Sequence, residues 1–164
     1  LIFNPLVVKG DSTVVETRII TLDVGSHLNR TTVSYNRIQD SLPIVTGIVL
    51  HDADGAVTTD AANGYMTYID PTTGPGQGKI FMGAAFPSNV KEAKKVMFSE
   101  TERKQRNNAF GHVLAVSDYD PDNEYVYYWG FAWDQADIQT PEAWNEYMKD
   151  FAQKVRTPLK VRVD

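Results

Sequence analysis

Residues 125–133, YVYYWGFAW, set the strongest condition on the fold. In an extended strand, successive side chains point to opposite faces. Tyr125, Tyr127, Trp129, Phe131 and Trp133 then crowd one face, and Val126, Tyr128, Gly130 and Ala132 occupy the other. Five large rings in one row call either for the inner layer of a sandwich or for a ring-shaped ligand that stacks on them. The segment just before alternates as well, with His112, Leu114, Val116 and Asp118 on one face. Between the two lies Asp120-Pro121-Asp122-Asn123, which is turn chemistry. Residues 110–134 therefore read as two long strands joined as a hairpin at a polar tip.

The rest of the chain follows the same period. Residues 12–23 are dense in β-branched side chains and read as one strand. Residues 28–36, 44–51, 64–70 and 79–86 read as further strands, and residues 95–99 as a short sixth. Gly47 marks a bulge or a close approach. Residues 38–43, 52–55 and 70–78 are loops, the last holding two Pro and three Gly. Strands at this spacing, without helices between them, indicate an antiparallel sandwich. One helix is signalled near the end. Thr140 suits the N-cap, Pro141 the first helical position and Glu142 the first turn. Trp144, Tyr147, Met148, Phe151 and Val155 follow as one apolar stripe, which Pro158 stops. Residues 159–163 alternate again and read as a final strand. The expected fold is mostly β: an antiparallel β-sandwich with one C-terminal α-helix. A length of 164 residues supports one core and hardly two, so residues 1–164 are read as a single unit.

Several classes of function have no support. The net charge is −5, whereas nucleic-acid binders carry a basic surplus. The most basic stretch, residues 91–106, sets six Lys/Arg against three Glu and reads as a solvated loop region around a short strand. With no cysteine there is no disulfide or thiolate chemistry, a composition compatible with export. No apolar run approaches the ~20 residues of a membrane span. Zinc-protease spacing, a nucleophile elbow and a Gly-rich phosphate cradle are all missing from the sequence. The acidic run from Asp118 to Glu124 starts like a calcium loop. It departs from one where Asn123 and Trp129 stand in place of the required Gly and Glu. No cofactor and no metal are expected.

The candidates that remain are histidines and aromatics. His27 follows a Gly-Ser turn and is expected to be exposed. His51 and His112 sit at strand ends, where imidazole serves either as a satisfied structural group or as a proton carrier. Trp129, Trp133 and Trp144 serve either as core or as a platform for sugar rings, with His112, Asp118 and Asp134 as polar neighbours.

These residues carry a resemblance. TRIITLDVGSHL (17–28), VTGIVLH (45–51), IFMGAAF (80–86), GHVLAV (111–116), YYWGFAWD (127–134) and the closing W…FAQKVRTPLKV (144–161) occur in order. The chain resembles the C-terminal half of an uncharacterised bacterial family of glycan-utilisation loci with a galactose-mutarotase-like supersandwich. That resemblance implies a curved sandwich whose concave face handles an oligosaccharide or polysaccharide, in a periplasmic or secreted protein. It implies a glycoside hydrolase, lyase or epimerase acting on a complex glycan. His112 and Trp133 are the matched positions, with His51 behind them. His112 would transfer a proton or bind a hydroxyl, Trp129 and Trp133 would stack, and Asp134 would make a polar contact. The alternatives are a non-catalytic carbohydrate-binding module and a structural sandwich domain. The chain opens LIFNPL, with neither Met nor a basic leader, and is expected to be part of a longer protein. Open sheet edges are avoided in soluble proteins, so a missing N-terminal segment or a second chain is expected to complete the sheet.

Overall fold

A computed structural model of the protein describes residues 1–72, 74 and 76–160. The strands are β1 (Leu6–Val8), β2 (Asp11–Val14), β3 (Glu16–Leu22), β4 (Leu28–Tyr35), β5 (Leu42–Leu50), β6 (Val57–Asp60), β7 (Tyr65–Asp70), β8 (Ile80–Ala85), β9 (Glu92–Met97), β10 (Gly111–Tyr119) and β11 (Tyr125–Trp133). The helices are α1 (Glu100–Gln105) and α2 (Pro141–Arg156). Among the described residues, β3-β4-β11-β8-β7-β6 form a large sheet, β5-β10-β9 a small one, and β1-β2 a separate hairpin. Adjacent strands in each sheet run antiparallel.

The large sheet is the middle of three layers. One face meets the small sheet through Val33, Met66, Tyr68, Ala84 and Tyr125, packed against Leu50, Val113 and Ala115. The opposite face meets α2 through Leu28, Tyr65, Ile69, Phe81, Ala85 and Ala132, packed against Trp144, Met148 and Ala152. Strand β7 shows the consequence most plainly. Residues 65–69, YMTYI, are buried in succession because both faces of the strand are covered.

Two glycines permit close approaches, one under the helix and one beside the start of β4. Gly83 and Gly130 face one another on β8 and β11. A Cβ on Gly83 would lie 2.8 Å from Met148 and 3.1 Å from the Trp144 ring. A Cβ on Gly130 would lie 2.0 Å from the carbonyl oxygen of His27. The hollow that Gly83 leaves admits the indole of Trp144, which is fully buried and donates from Nε1 to the Met82 carbonyl at 3.1 Å. Thr140 caps the helix, its side chain accepting from the Ala143 amide, and Pro141 and Glu142 occupy the first turn as expected.

The mostly-β antiparallel class and the C-terminal helix match the sequence reading, and several details differ. Strands β10 and β11 are not a hairpin. Strand β10 pairs with β5 and β9, whereas β11 pairs with β4 and β8. The polar tip is an arch that carries the chain from one sheet to the other, with Tyr119 and Tyr125 buried at its two feet. Residues 12–23 are not one strand either. Val14 pairs with Leu6 in the hairpin and Glu16 with Tyr35 in the large sheet, so the chain changes sheets at Val15. The Val15 amide there donates to the Asn36 side-chain oxygen. Strand β5 begins inside the expected loop, at Leu42. Gly47 is a close approach rather than a bulge: it pairs with Leu114 in unbroken register, and a Cβ there would lie 3.0 Å from the Leu114 side chain. The basic stretch holds β9 and the short helix α1, capped by a reciprocal Ser99–Glu102 box. Strand β6 escaped notice. Leu159 and Lys160 are not strand, and the rest of the expected final strand lies outside the described residues.

Two substitutions test these close contacts. Trp144→Ala is expected to lower unfolding stability by about 3–5 kcal/mol, through lost burial and a cavity. Gly130→Ala is expected to cost about 2–3 kcal/mol, because backbone must move to admit the methyl. Urea unfolding midpoints at constant slope measure both.

Candidate functional site

The small sheet is narrower than the large one and covers only part of its inner face. Cross-strand register defines the part left open. Leu22, Asn29 and Trp129 form one row, Ile20, Thr31 and Tyr127 another, and Phe131 pairs with Met82. Directly paired residues share a face, so this surface is continuous with the face that is covered further along. Strand β5 borders it and pairs only with β10 among the described residues. Between β5 and the open face runs a groove of about 770 Å³, within the size range of small-molecule sites.

The aromatic row of β11 serves both purposes that its alternation allowed. Tyr125 is buried in the core, while Trp129, Phe131 and Trp133 are 40%, 59% and 41% exposed. Both indoles are fixed at their edges. Trp129 Nε1 donates to Thr31 Oγ1 at 2.8 Å, and Trp133 Nε1 donates to the Gln77 carbonyl at 2.9 Å. Hydrogen bonds at the rim satisfy the one polar atom of each ring and leave its π face unspent. Trp129 and Phe131 line the groove, and Trp133 continues the row opposite Ile80.

A polar cluster stands in the same groove. Glu16 and Arg18 on β3 form an ion pair, and the Tyr35 hydroxyl donates to the second Glu16 oxygen at 2.7 Å. Glu16 is buried although charged, a placement that is stable only with such partners. Burial, together with the bond to Glu16, pushes the Tyr35 phenol well above its ordinary range. For Arg18, burial opposes the charge, but the hydrogen bond to Glu16 and the nearby Tyr127 outweigh it and the guanidinium is held more firmly protonated. This cluster was not singled out from the sequence. The alternation of residues 12–23 placed Glu16 and Arg18 together on one face, but nothing there indicated that Tyr35 closes on them.

The other candidates scatter. His112 points away from the core on the outer side of the small sheet, edge-on to Phe98 at 4.9 Å, and is not brought to Trp129 or Trp133. Burial and then Arg106 lower its pKa. His51 sits 2.9 Å from Asp70, which shares a cross-strand row with Ile80 and Trp133 at the far end of the open face. The Asp134 amide donates to the Lys79 carbonyl, and its Oδ1 is buried without a hydrogen-bond partner among the described residues. His27 is not freely exposed. It packs edge-on to Trp144 and Tyr147 and lies 2.9 Å from Asp137, whose pKa that contact lowers. Asp118 pairs with Lys91, and Asp120 is spent on the arch itself, accepting from Asp122 and Asn123. Among the described residues no group of acidic or histidine side chains is placed to hold a metal ion, and no helix is long and apolar enough to cross a membrane.

The model of a domain of unknown function, DUF4861, matches residues 1–161, and the chain belongs to that family. The chain is also 26% identical over 157 residues to a Formosa agariphila protein described as uncharacterized protein P7. The match takes in 94% of this chain and 36% of the relative, so the chain spans about a third of the length of the curated relative it matches. No solved structure matches.

The polar cluster carries an expected pH dependence. A phenol whose folded pKa is raised holds its proton more tightly in the native state than in the unfolded one. The stability this gives is complete below the unfolded value of about 10 and declines as pH rises through the folded value. Tyr65, Tyr68 and Tyr125 are raised in the same direction by burial. Tyr35→Phe is therefore expected to reduce the alkaline loss of stability without abolishing it, as read from unfolding midpoints and phenolate absorbance across the alkaline range.

Proposed function

We propose that this member of the DUF4861 family binds a saccharide in the groove between β5 and the open half of the large sheet. One observation carries the reading: Trp129, Phe131 and Trp133 lie in a row with their rings partly exposed and the indole edges already hydrogen-bonded. Sugar rings offer C–H faces to such planes, while their hydroxyls need polar groups close by. Thr31, Asn29, Tyr127, Glu16 and Arg18 share that face. The occupant is an oligosaccharide or a segment of polysaccharide, since the row continues beyond the groove to Trp133. The export implied by the earlier resemblance belongs to the same proposal. So does completion of the sheets by a further segment or a second chain. Strand β6, which pairs only with β7 among the described residues, offers an edge for it.

A second reading is turnover of the bound glycan by a hydrolase, lyase or epimerase. Glu16 and Tyr35 favour it, because they bring a carboxylate and a phenol to the polar end of the same groove.

The test is isothermal titration of the protein against a panel of neutral and acidic oligosaccharides, with product analysis alongside. Trp129→Ala and Phe131→Ala are expected to weaken binding by about tenfold or more while circular dichroism stays unchanged. His112→Ala is expected to leave binding as it is. If turnover occurs, Glu16→Gln is expected to slow it by about a hundredfold or more. Absence of binding across the whole panel would overturn the saccharide reading.

A further inference from the structure

The groove contains a cation only part of whose hydrogen-bonding capacity is used. Arg18 donates from Nε to Glu16, and Glu16 spends its other oxygen on Tyr35. On its other side the guanidinium carbon lies 5.0 Å from the centre of the Phe3 ring. Phe3 is fixed in turn, its amide donating to the Glu16 carbonyl at 3.0 Å. The guanidinium is therefore positioned from two directions before any ligand arrives. Its Nη1 and Nη2 make no hydrogen bond or ion pair among the described residues, and the side chain is 36% exposed in the groove that Trp129 and Phe131 line. Glu16 orients the fork without occupying its outer end.

An end-on guanidinium fork, planar and always charged, fits the two oxygens of a carboxylate or sulfate group. A lysine in its place would offer a point charge without the matched pair of donors. The surrounding wall is mostly apolar, and a charge pair formed there is less screened than one on an open surface. A neutral sugar would offer these N–H groups hydroxyl acceptors but no charged pair of oxygens matched to the fork.

We propose that Arg18 selects saccharides that carry an oxyanion, either the carboxylate of an acidic sugar or a sulfate ester, by an end-on contact through Nη1 and Nη2. This rests on the saccharide reading above and adds to it the chemical class of the ligand and the residue that recognises it.

The experiment compares three oligosaccharide preparations with one common backbone: a carboxylated form, its carboxyl-reduced neutral form, and a sulfated form. Each is titrated into the parent protein, Arg18→Lys and Arg18→Gln. In the parent, at least one anionic form is expected to bind about tenfold more tightly than the neutral form. Whichever form does so identifies the source of the oxyanion. In Arg18→Lys, which keeps a cation beside Glu16, the ratio of anionic to neutral affinity is expected to fall to about threefold or less. The preference is also expected to shrink as salt is added. Equal binding of anionic and neutral forms by the parent would overturn the proposal and leave the saccharide reading standing, as would a preference that survives both variants. The common backbone is taken from a saccharide that binds in the oligosaccharide panel; absence of binding across that whole panel would overturn both. Thermal midpoints show whether each variant is folded, and Arg18→Lys carries the test if Arg18→Gln unfolds for want of a partner for Glu16.

Discussion

The contact between α2 and the hollow left by Gly83 governs the arrangement of the layers. Along β11, large rings alternate with small residues because the two faces have different neighbours. On the helix side, Ala132 packs with Trp144 and Met148, and Gly130 lets the His27 backbone come close. On the inner side the rings have no helix to meet: Tyr125 is buried in the core shared with the small sheet and Tyr127 packs partly against it. Trp129 and Phe131 then stand over the groove, with Trp133 beyond them in the same row. Core and platform are thus two ends of one strand face.

Local signals in the sequence were sufficient where local forces decide. The cap, first turn and stripe of α2 could be read because each is a matter of neighbours three or four residues apart. Strands β4, β7 and β8 could be read because alternation and turn residues frame them. Which sheet a strand joins was not legible. Strands β10 and β11 look like a hairpin because the arch between them uses turn chemistry, Asp120 accepting from the Asp122 amide and the Asn123 side chain. Yet Tyr119 and Tyr125 are each buried at the point where the chain passes between sheets. Val15 conceals a similar change of sheet inside an unbroken β-branched run. The short β6 and α1 carry too few residues to show a period.

The candidate site divides along the same line. Aromatic alternation picked out Trp129 and Trp133, and both are partly exposed on the open face. His112 seemed close to them only on the assumption of a hairpin, and the arch sets it on the outside of the other sheet. The Glu16–Arg18–Tyr35 cluster depends on the pairing of β3 with β4, which sets Glu16 opposite Tyr35. No spacing motif records that pairing. The charges in the cluster persist because each has a partner: the guanidinium meets the carboxylate, and the phenol donates a hydrogen bond to the remaining oxygen.

The arch also bears on how the chain reaches its native state. Strand β11 is placed between β4 and β8, and the hydrogen bond from Trp129 to Thr31 joins residues 98 positions apart. Closing so long a span is entropically slow, and this central strand follows every one of its sheet partners along the chain. Without it, β4 and β8 would each present a bare margin. An undocked β11 therefore leaves two strand edges open to pairing with other chains.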